Sequence, residues 1–248
     1  MTRGLAAETQ AHADPVEAAK RMVTHTGAFL MPPADLNGCI GVDEHAWTRF
    51  SSHWEELVPD GYAAELGTRR LRRYGHFLFR PADGCAQLMP HHAFAQPEDS
   101  NPLYIERDRY FEPLTDALAE DPLLHGLLRL LGHVATALED IPEWSAKVTP
   151  FRVLATADGE GQPTPEGLHR DGVTLVTSLL VGRRNARGGE SSVFDVDGRQ
   201  LLTTTMSEPG TLLLGDDRRT VHGVSPIRAL DPAEPARRDV LVITFAPF

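Results

Sequence analysis

The sequence predicts a mainly β core with flanking α-helices, and three observations support this fold class. After Pro142, short β-like segments alternate with evenly spaced turns, which is typical of a sandwich or barrel. In residues 14–140, apolar residues recur at helical spacing on either side of one hairpin-like stretch. The length of 248 residues suits a single domain over residues 1–248. We expect residues 1–13, which are small and polar, to form a disordered tail, and residues 145–248 to carry the β core.

The first segment predicts two helices. Asp14 can cap a helix that has Pro15 at its first position, and helical spacing of apolar residues continues to about residue 30. The Pro32-Pro33 pair stops this helix, because a residue before proline avoids the helical conformation. A second helix begins at Asp43, and its apolar residues recur every three or four positions: Trp47, Phe50, Trp54 and Leu57.

A β-hairpin and a long helical region follow. Residues 70–79 look extended, residues 81–84 form a Pro-Ala-Asp-Gly turn, and residues 85–89 provide the returning strand. Residues 110–140 carry a wide apolar stripe, which predicts the most helical part of the chain. The basic run at residues 69–73 is short, so we assign it to a solvated turn or strand edge. An anion-binding role for one of its arginines stays open.

Charge and composition argue against several classes of function. The net charge is −11, and an acidic chain repels phosphate backbones, so we expect no nucleic-acid partner. The sequence contains no run of about 18 apolar residues, so we expect no membrane partner. Two cysteines, Cys39 and Cys85, make no disulfide framework and fit a reducing compartment. Since residues 1–13 also lack the pattern of a signal peptide, we expect a cytoplasmic protein, and a homo-oligomer stays open.

Three residues form a candidate metal site. His169 and Asp171 are two positions apart, so both side chains point to the same side of an extended segment. His222 follows 51 residues after Asp171, in a second β-like segment that can lie beside the first. Two imidazoles and one carboxylate leave other coordination positions of a metal open, which suits non-haem Fe(II). A structural zinc site requires four closed ligands, and the sequence offers no convincing fourth.

Four phrases of the chain resemble the 2-oxoglutarate/Fe(II)-dependent dioxygenases. They are residues 165–172 with the His-x-Asp motif, 185–190, 217–224 with the second histidine, and 238–245 with a late arginine. The set is similar to the bacterial branch that hydroxylates free amino acids, which includes L-isoleucine hydroxylase. The resemblance covers residues 145–248 and implies a double-stranded β-helix, or jelly roll, whose core carries the metal site.

The resemblance also implies the cofactors and the residues that hold them. His169, Asp171 and His222 would hold Fe(II), and O₂ and the cosubstrate 2-oxoglutarate would bind beside them. Arg238 would bind the distal carboxylate of 2-oxoglutarate, because a planar guanidinium can form two parallel hydrogen bonds. Its neighbour Arg237 points the opposite way in a strand and is the less suitable candidate. Ascorbate is expected to support activity in vitro.

Four further residues are candidates for contact with the substrate or the cosubstrate. An amino acid carries a carboxylate and an ammonium group, for which we assign Arg152 and Glu166, respectively. A structural salt bridge is the alternative role for Arg152, and solvation in a loop is the alternative for Glu166. Thr174 and Ser178 share one strand face and can donate hydrogen bonds near the cosubstrate, although strand-surface hydroxyls explain them equally well.

The expected activity is hydroxylation of an unactivated C–H bond in a small, aliphatic free L-amino acid, with release of succinate and CO₂. The carboxylate of Asp171 argues against halogenation, since the related halogenases lack it. The same oxidative chemistry could instead desaturate or cyclise a natural-product amino-acid precursor. A non-enzymatic, cupin-like module that binds a metal or a ligand is the second alternative. The identity of the amino acid, the carbon that reacts and attachment of the substrate to a carrier stay open.

Overall fold

A computed structural model describes residues 14–65, 67–94 and 109–248 of the chain. The tail expected at residues 1–13 lies outside the described residues. The helices of the described part are α1 (Pro15–Thr26), α2 (Pro33–Ile40), α3 (Glu44–Ser52), a 3₁₀ helix (His53–Glu56), α4 (Gly61–Glu65), α5 (Asp116–Ala119) and α6 (Pro122–Leu138). None of these helices has the length and apolar character needed to span a lipid bilayer.

The strands of the described part are most numerous in the second half of the chain. In the first half they are β1 (Ala28–Met31), β2 (Val58–Pro59), β3 (Arg70–Arg72), β4 (Gly75–Arg80) and β5 (Cys85–Leu88). In the second half they are β6 (Trp144–Ala155), β7 (Leu175–Arg184), β8 (Ala186–Gly188), β9 (Ser191–Asp195), β10 (Gln200–Thr204), β11 (Leu212–Asp216), β12 (Thr220–Val224), β13 (Ile227–Ala229) and β14 (Ala236–Pro247).

The strands form a large sheet and a small sheet. The large sheet has the order β1-β11-β7-β14-β6-β3-β2, and β4 joins it by pairing with both β6 and β5. The small sheet has the order β10-β9-β12, and β13 pairs separately with β8. Neighbouring strands are antiparallel in both sheets. This antiparallel β core with flanking helices confirms the predicted fold class and is consistent with a jelly roll.

The large sheet has two different faces, which β14 illustrates because it pairs with both β6 and β7. Alternate residues of a strand point to opposite sides. One side, which we call the helix-covered face, packs mainly against the helices. On β14 it consists of Asp239, Leu241, Ile243 and Phe245. The other side, which we call the cavity face, lines an internal cavity. On β14 it consists of Arg238, Val240, Val242 and Thr244.

Helix α6 packs against the helix-covered face of the large sheet. Asp121 caps its first turn by accepting a hydrogen bond from the N–H of Leu123 at 2.8 Å. Gly132 allows the helix to approach β4 closely, since a Cβ at this position would lie 2.1 Å from the ring of Phe79. The apolar stripe expected in residues 110–140 is buried along this helix: Leu123, Leu124, Leu127, Leu128, Leu130, Leu131 and Val134.

The first half of the chain contributes strands to the large sheet as well as helices. Helix α1 ends at Thr26, because Gly27 adopts the left-handed conformation with a φ of 87° and its N–H bonds to the carbonyl of Val23. Residues 28–31 then form β1, which pairs with β11 at the edge of the sheet. The prediction that this helix continues to about residue 30 was therefore wrong, because the chain has already entered β1 there.

Candidate active site

The two candidate histidine ligands face each other across an antiparallel bridge. His169 precedes β7, and His222 is the central residue of β12. The N–H of His169 donates to the carbonyl of His222 at 3.0 Å, and the N–H of His222 donates to the carbonyl of His169 at 2.9 Å. The ring centroids are 4.5 Å apart. The bridge therefore fixes the two imidazoles beside each other.

Asp171 reaches the same point from a turn rather than from a strand. Strand β7 begins only at Leu175, so the extended segment expected around the His-x-Asp motif is interrupted. The carboxylate of Asp217 stabilises the turn by accepting the N–H groups of residues 171–173 at 3.2, 2.8 and 3.0 Å. Oδ2 of Asp171 lies 3.5 Å from Nε2 of His222. The candidate ligand atoms of the three residues all lie within 4.8 Å of one another.

Contacts on the far side of each imidazole leave Nε2 directed at the site. His169 donates from Nδ1 to the carbonyl of Gly167 at 3.0 Å, which leaves its Nε2 available to a metal. Nδ1 of His222 faces Oδ1 of Asp217 at 3.8 Å, which is too long for a hydrogen bond, and it has no hydrogen-bond partner among the described residues. Burial lowers the pKa of His222 to about 4, so this imidazole is neutral at pH 7, as a metal ligand must be. Burial also raises the pKa of Asp217 to about 6.

A cavity of about 160 Å³ lies between the cavity face of the large sheet and strands β9 and β12 of the small sheet. The three candidate metal ligands form part of its wall. Among the described lining residues, the carboxylates are Glu166 and Asp171. The lining cations are more numerous: Arg70, Arg72, Arg109, Lys147 and Arg238. Arg70 is paired with Asp60 at 2.8 Å, whereas Arg72 and Arg238 have no carboxylate partner among the described residues and so favour an anionic ligand.

Arg238 is a buried cation of this cavity, and the described part of the chain gives it no anionic partner. It is 1% exposed, and its Nε and Nη2 have no hydrogen-bond partner among the described residues. Burial and the nearby Arg183 lower the pKa of Arg238 to about 10, so it is still charged at pH 7. An uncompensated buried charge is costly, and a bound carboxylate would remove that cost. The neighbouring Arg237 points away from the cavity and donates to Glu55 at 3.3 Å.

The donor set and the unpaired arginine fit one kind of centre. His169, Asp171 and His222 would hold Fe(II) through two imidazole nitrogens and one carboxylate oxygen, a donor set that suits non-haem iron. A family model for 2OG-Fe dioxygenases, in which 2OG denotes 2-oxoglutarate, matches residues 51–244 of the chain. The chain belongs to the 2OG-Fe dioxygenase family. The family implies Fe(II), 2-oxoglutarate and O₂ for this dioxygenase, and the matched residues include all three ligands and Arg238.

Several solved structures are similar to this dioxygenase, whereas no curated protein matches it. A BsmA homologue from Methylobium petroleophilum PM1 is 35% identical, with a TM-score of 0.87 and coverage of 98% of this chain and 97% of that chain. IDO from Bacillus thuringiensis is 18% identical, with a TM-score of 0.78 and coverage of 94% and 99%. The Fe(II)/α-ketoglutarate-dependent dioxygenase TqaL is 16% identical, with a TM-score of 0.75 and coverage of 95% and 87%. The last two similarities show the fold alone.

The structure does not bring Arg152 to the cavity of the dioxygenase. Arg152 is paired in register with Asp239 of β14, so its side chain lies on the helix-covered face. Its Nε donates to Oδ1 of Asp239 at 2.8 Å, and its Nη2 donates to Oε1 of Glu55 at 2.9 Å. These two carboxylates occupy the guanidinium, as in the alternative salt-bridge role considered for this residue. Arg152 therefore does not enter the substrate site that we propose below.

The remaining candidates divide between the cavity and its surroundings. Glu166 and Ser178 line the cavity, and Oε1 of Glu166 is 3.4 Å from Nε2 of His169. Thr174 lies outside the lining and donates to Oε2 of Glu139 at 3.2 Å. The strand alternation that links Thr174 to Ser178 does not apply, because Thr174 precedes the first residue of β7. The predicted shared face of these two hydroxyls was therefore wrong.

Two residues of the site carry little signal in the sequence. Asp217 is the second of two adjacent aspartates, and only the fold shows that it holds the turn of Asp171. Arg72 belongs to the basic run 69–73 that was expected at a solvated edge, but it is 4% exposed. That expectation was wrong for Arg72, because β3 pairs with β6 and directs it to the cavity face. The spacing of Arg70 and Arg72 by two positions is the signal that could have indicated this.

Proposed function

We propose that this dioxygenase hydroxylates an unactivated C–H bond of a small, aliphatic free L-amino acid, with release of succinate and CO₂. One observation carries the proposal: the three metal ligands, the unpaired guanidinium of Arg238 and the carboxylate of Glu166 line the same cavity. The site thus offers separate groups for a metal, for an anionic cosubstrate and for the ammonium group of an amino acid.

The residues of the chain act by binding and positioning. His169, Asp171 and His222 would hold Fe(II), which together with 2-oxoglutarate and O₂ supplies the oxidising chemistry when bound. Arg238 would fix the distal carboxylate of the cosubstrate and so orient it toward the metal. Asp217 holds the turn that carries Asp171, which keeps this ligand in place.

The size and lining of the cavity support a small substrate with an apolar side chain. Its volume of about 160 Å³ is below the range of roughly 300–1,000 Å³ that is typical of pockets for drug-sized ligands. Glu166 is only 3.4 Å from the Nε2 atom of His169, so an ammonium group bound to it would lie close to the metal. Apolar side chains that could receive an aliphatic group also line the cavity: Val173, Val176, Val193, Leu213, Val224 and Val242.

A succinate assay over a panel of free L-amino acids tests this function. Iron-loaded protein would be incubated with 2-oxoglutarate, ascorbate and air, and succinate and product mass would be measured. We expect one aliphatic amino acid to raise succinate formation at least about tenfold and to gain one oxygen atom. His169→Ala should abolish turnover. Glu166→Gln should raise the KM for the amino acid, and the exposed Glu44→Gln serves as the matched control.

Each other outcome points to a different reaction or role. A product that has lost two hydrogens would show that the reaction is desaturation or cyclisation and not hydroxylation. Weak succinate formation that no amino acid stimulates would indicate that the substrate is a larger or carrier-tethered molecule. No succinate from the iron-loaded protein under any condition would contradict the enzymatic function and favour a binding module.

A further inference from the structure

A second arginine of the cavity, Arg72, is buried among aromatic rings. It is the last residue of β3 and is 4% exposed. Its guanidinium carbon lies 3.5 Å from the centre of the Phe111 ring, 4.8 Å from that of Phe151 and 5.3 Å from that of Phe94. Such cation–π contacts hold the guanidinium in place. They do not provide the carboxylate that a buried cation normally has.

The described residues give Arg72 no anionic partner. Its Nη2 makes one long hydrogen bond to the hydroxyl of Thr149 at 3.5 Å, and its Nε has no partner. The nearby carboxylate of Asp60 is occupied by Arg70, which donates to it from Nε at 3.0 Å and from Nη2 at 2.8 Å. Burial, with the like charges of Arg70 and Arg109, lowers the pKa of Arg72. Arg72 is therefore a buried donor with unused hydrogen-bonding capacity.

Arg72 and Arg238 both line the cavity, and they lie on the two strands that flank β6. Arg72 is paired in register with Phe151 on one side of this strand, and Arg238 is paired with Val153 on the other side. Adjacent strands are about 4.8 Å apart, so the backbones of β3 and β14 are separated by roughly 10 Å. Each guanidinium can therefore hold its own carboxylate, one near each side of the cavity.

We propose that Arg72 binds the carboxylate of the primary substrate, while Arg238 binds that of 2-oxoglutarate. This inference rests on the proposed function and gives Arg72 the role that the sequence had assigned to Arg152. A planar guanidinium and a carboxylate can form two parallel hydrogen bonds, which the surrounding rings shield from water. The substrate must then have a free carboxylate. An amino acid tethered to a carrier through its carboxyl group would not satisfy Arg72.

Binding without turnover tests this assignment. The protein would be loaded with Mn(II) as a redox-inert substitute for Fe(II) and with 2-oxoglutarate, and ligands would be titrated calorimetrically. The probes are L-valine, L-leucine and L-isoleucine, their methyl esters, and the corresponding acids without the amino group. The variants are Arg72→Met and Arg72→Lys. The matched control is Arg69→Met, because Arg69 is exposed and lies just before the same strand.

We expect the parent protein to bind at least one of the amino acids and to bind its methyl ester about 50-fold more weakly or not at all. Arg72→Met should weaken binding of the amino acid about 100-fold, because a buried charge pair is lost. Arg72→Lys should restore part of that affinity, and Arg69→Met should bind like the parent protein. An unchanged affinity for 2-oxoglutarate would show that Arg72→Met is folded and that its cosubstrate site is intact.

The remaining outcomes separate this inference from the proposed function. Equal affinity of Arg72→Met and the parent protein for the amino acid would overturn the role of Arg72. An equal loss of affinity for 2-oxoglutarate would overturn it as well, because Arg72 would then serve the cosubstrate. If the acids bind through Arg72 but no amino acid binds, the carboxylate site stands and the amino-acid function fails. If the parent protein binds neither class, both are overturned.

Discussion

Three buried arginines on the two faces of the large sheet differ in whether a carboxylate compensates their charge: Arg152 on the helix-covered face, and Arg72 and Arg238 on the cavity face. On the helix-covered face, burial opposes the charge of Arg152, but hydrogen bonds to Asp239 and Glu55 raise its pKa above the ordinary value. On the cavity face, burial lowers the pKa of both Arg238 and Arg72. Neither of these two has an anionic partner among the described residues. Charge compensation thus separates Arg152 on the helix-covered face from Arg72 and Arg238 on the cavity face, where Arg70 has its own carboxylate partner in Asp60.

This difference distinguishes charges that serve the fold from charges that serve a ligand. A buried ion pair contributes to the folded state only as a complete set, and removing one partner is destabilising. An unpaired buried cation weakens the fold until an anion binds to it, so its cost is recovered in ligand affinity. We therefore expect substitution of Arg152 to change stability, and substitution of Arg72 or Arg238 to change ligand binding.

The largest effect on stability is expected from Arg152→Met. The change leaves the carboxylate of Asp239 buried without its main partner, so the free energy of unfolding should fall by about 3 kcal/mol. Denaturant unfolding would measure this, with Arg237→Met as the matched control. Arg237 also pairs with Glu55 but is partly exposed, so its loss should cost less than about 1 kcal/mol. A loss of 2-oxoglutarate affinity without a loss of stability in Arg152→Met would contradict the structural role of this arginine.

Asp217→Asn should have the next largest effect, which is a loss of metal affinity. The buried carboxylate of Asp217 accepts hydrogen bonds from three backbone N–H groups. An amide offers only one acceptor oxygen to the three N–H groups of residues 171–173 and places N–H donors against them. We expect Mn(II) affinity to fall about 10- to 100-fold, as is typical when the support of a metal ligand is lost. Asp216→Asn is the control, since Asp216 binds Arg218 and Arg219 instead. Unchanged Mn(II) affinity in Asp217→Asn would show that the turn does not depend on this carboxylate.

The smallest expected effect is on the pH dependence of stability in acid, and it comes from His76 on the cavity face. His76 is paired in register with Lys147, and burial, with the charges of His92 and Lys147, lowers its pKa to about 4. Between pH 6.5 and 4 the unfolded chain binds more protons at this residue than the folded chain does, so stability falls as the pH is lowered through this range. His76→Gln should reduce that slope, by less than the roughly 1.4 kcal/mol per pH unit that one full proton gives.

Denaturant unfolding at a series of pH values would measure this slope, with the exposed His45→Gln as the matched control. Identical slopes for the parent protein and His76→Gln would contradict the effect of burial on this imidazole.

The residues that the sequence placed well depend on local patterns. The order of short strands and turns was enough for the fold class, and the His-x-Asp motif with a distant histidine was enough to find three side chains that meet in space. Alternation along β14 was also enough to separate Arg238 from Arg237, because both lie inside one regular strand.

The residues that the sequence misplaced depend on contacts between distant segments. Strand β6 is largely buried on both faces, so its own pattern does not show which face carries the cavity, and Arg152 was assigned to the wrong one. Thr174 was placed by strand alternation, but the bonds from residues 171–173 to Asp217 form a turn before β7 begins. Arg72 was assigned to a solvated edge, although the pairing of β3 with the distant strand β6 buries it.

Titration of 2-oxoglutarate into the Mn(II)-loaded parent protein and into Arg238→Met tests most directly whether an uncompensated buried arginine serves a ligand. We expect the variant to bind 2-oxoglutarate about 100-fold more weakly, because its distal carboxylate loses a buried charge partner. The free energy of unfolding without ligand should not decrease, since an uncompensated buried charge has been removed. Arg237→Met should bind 2-oxoglutarate like the parent protein. Unchanged 2-oxoglutarate affinity in Arg238→Met, together with a large loss of stability, would contradict the assignment of the cavity-face arginine to an anionic ligand.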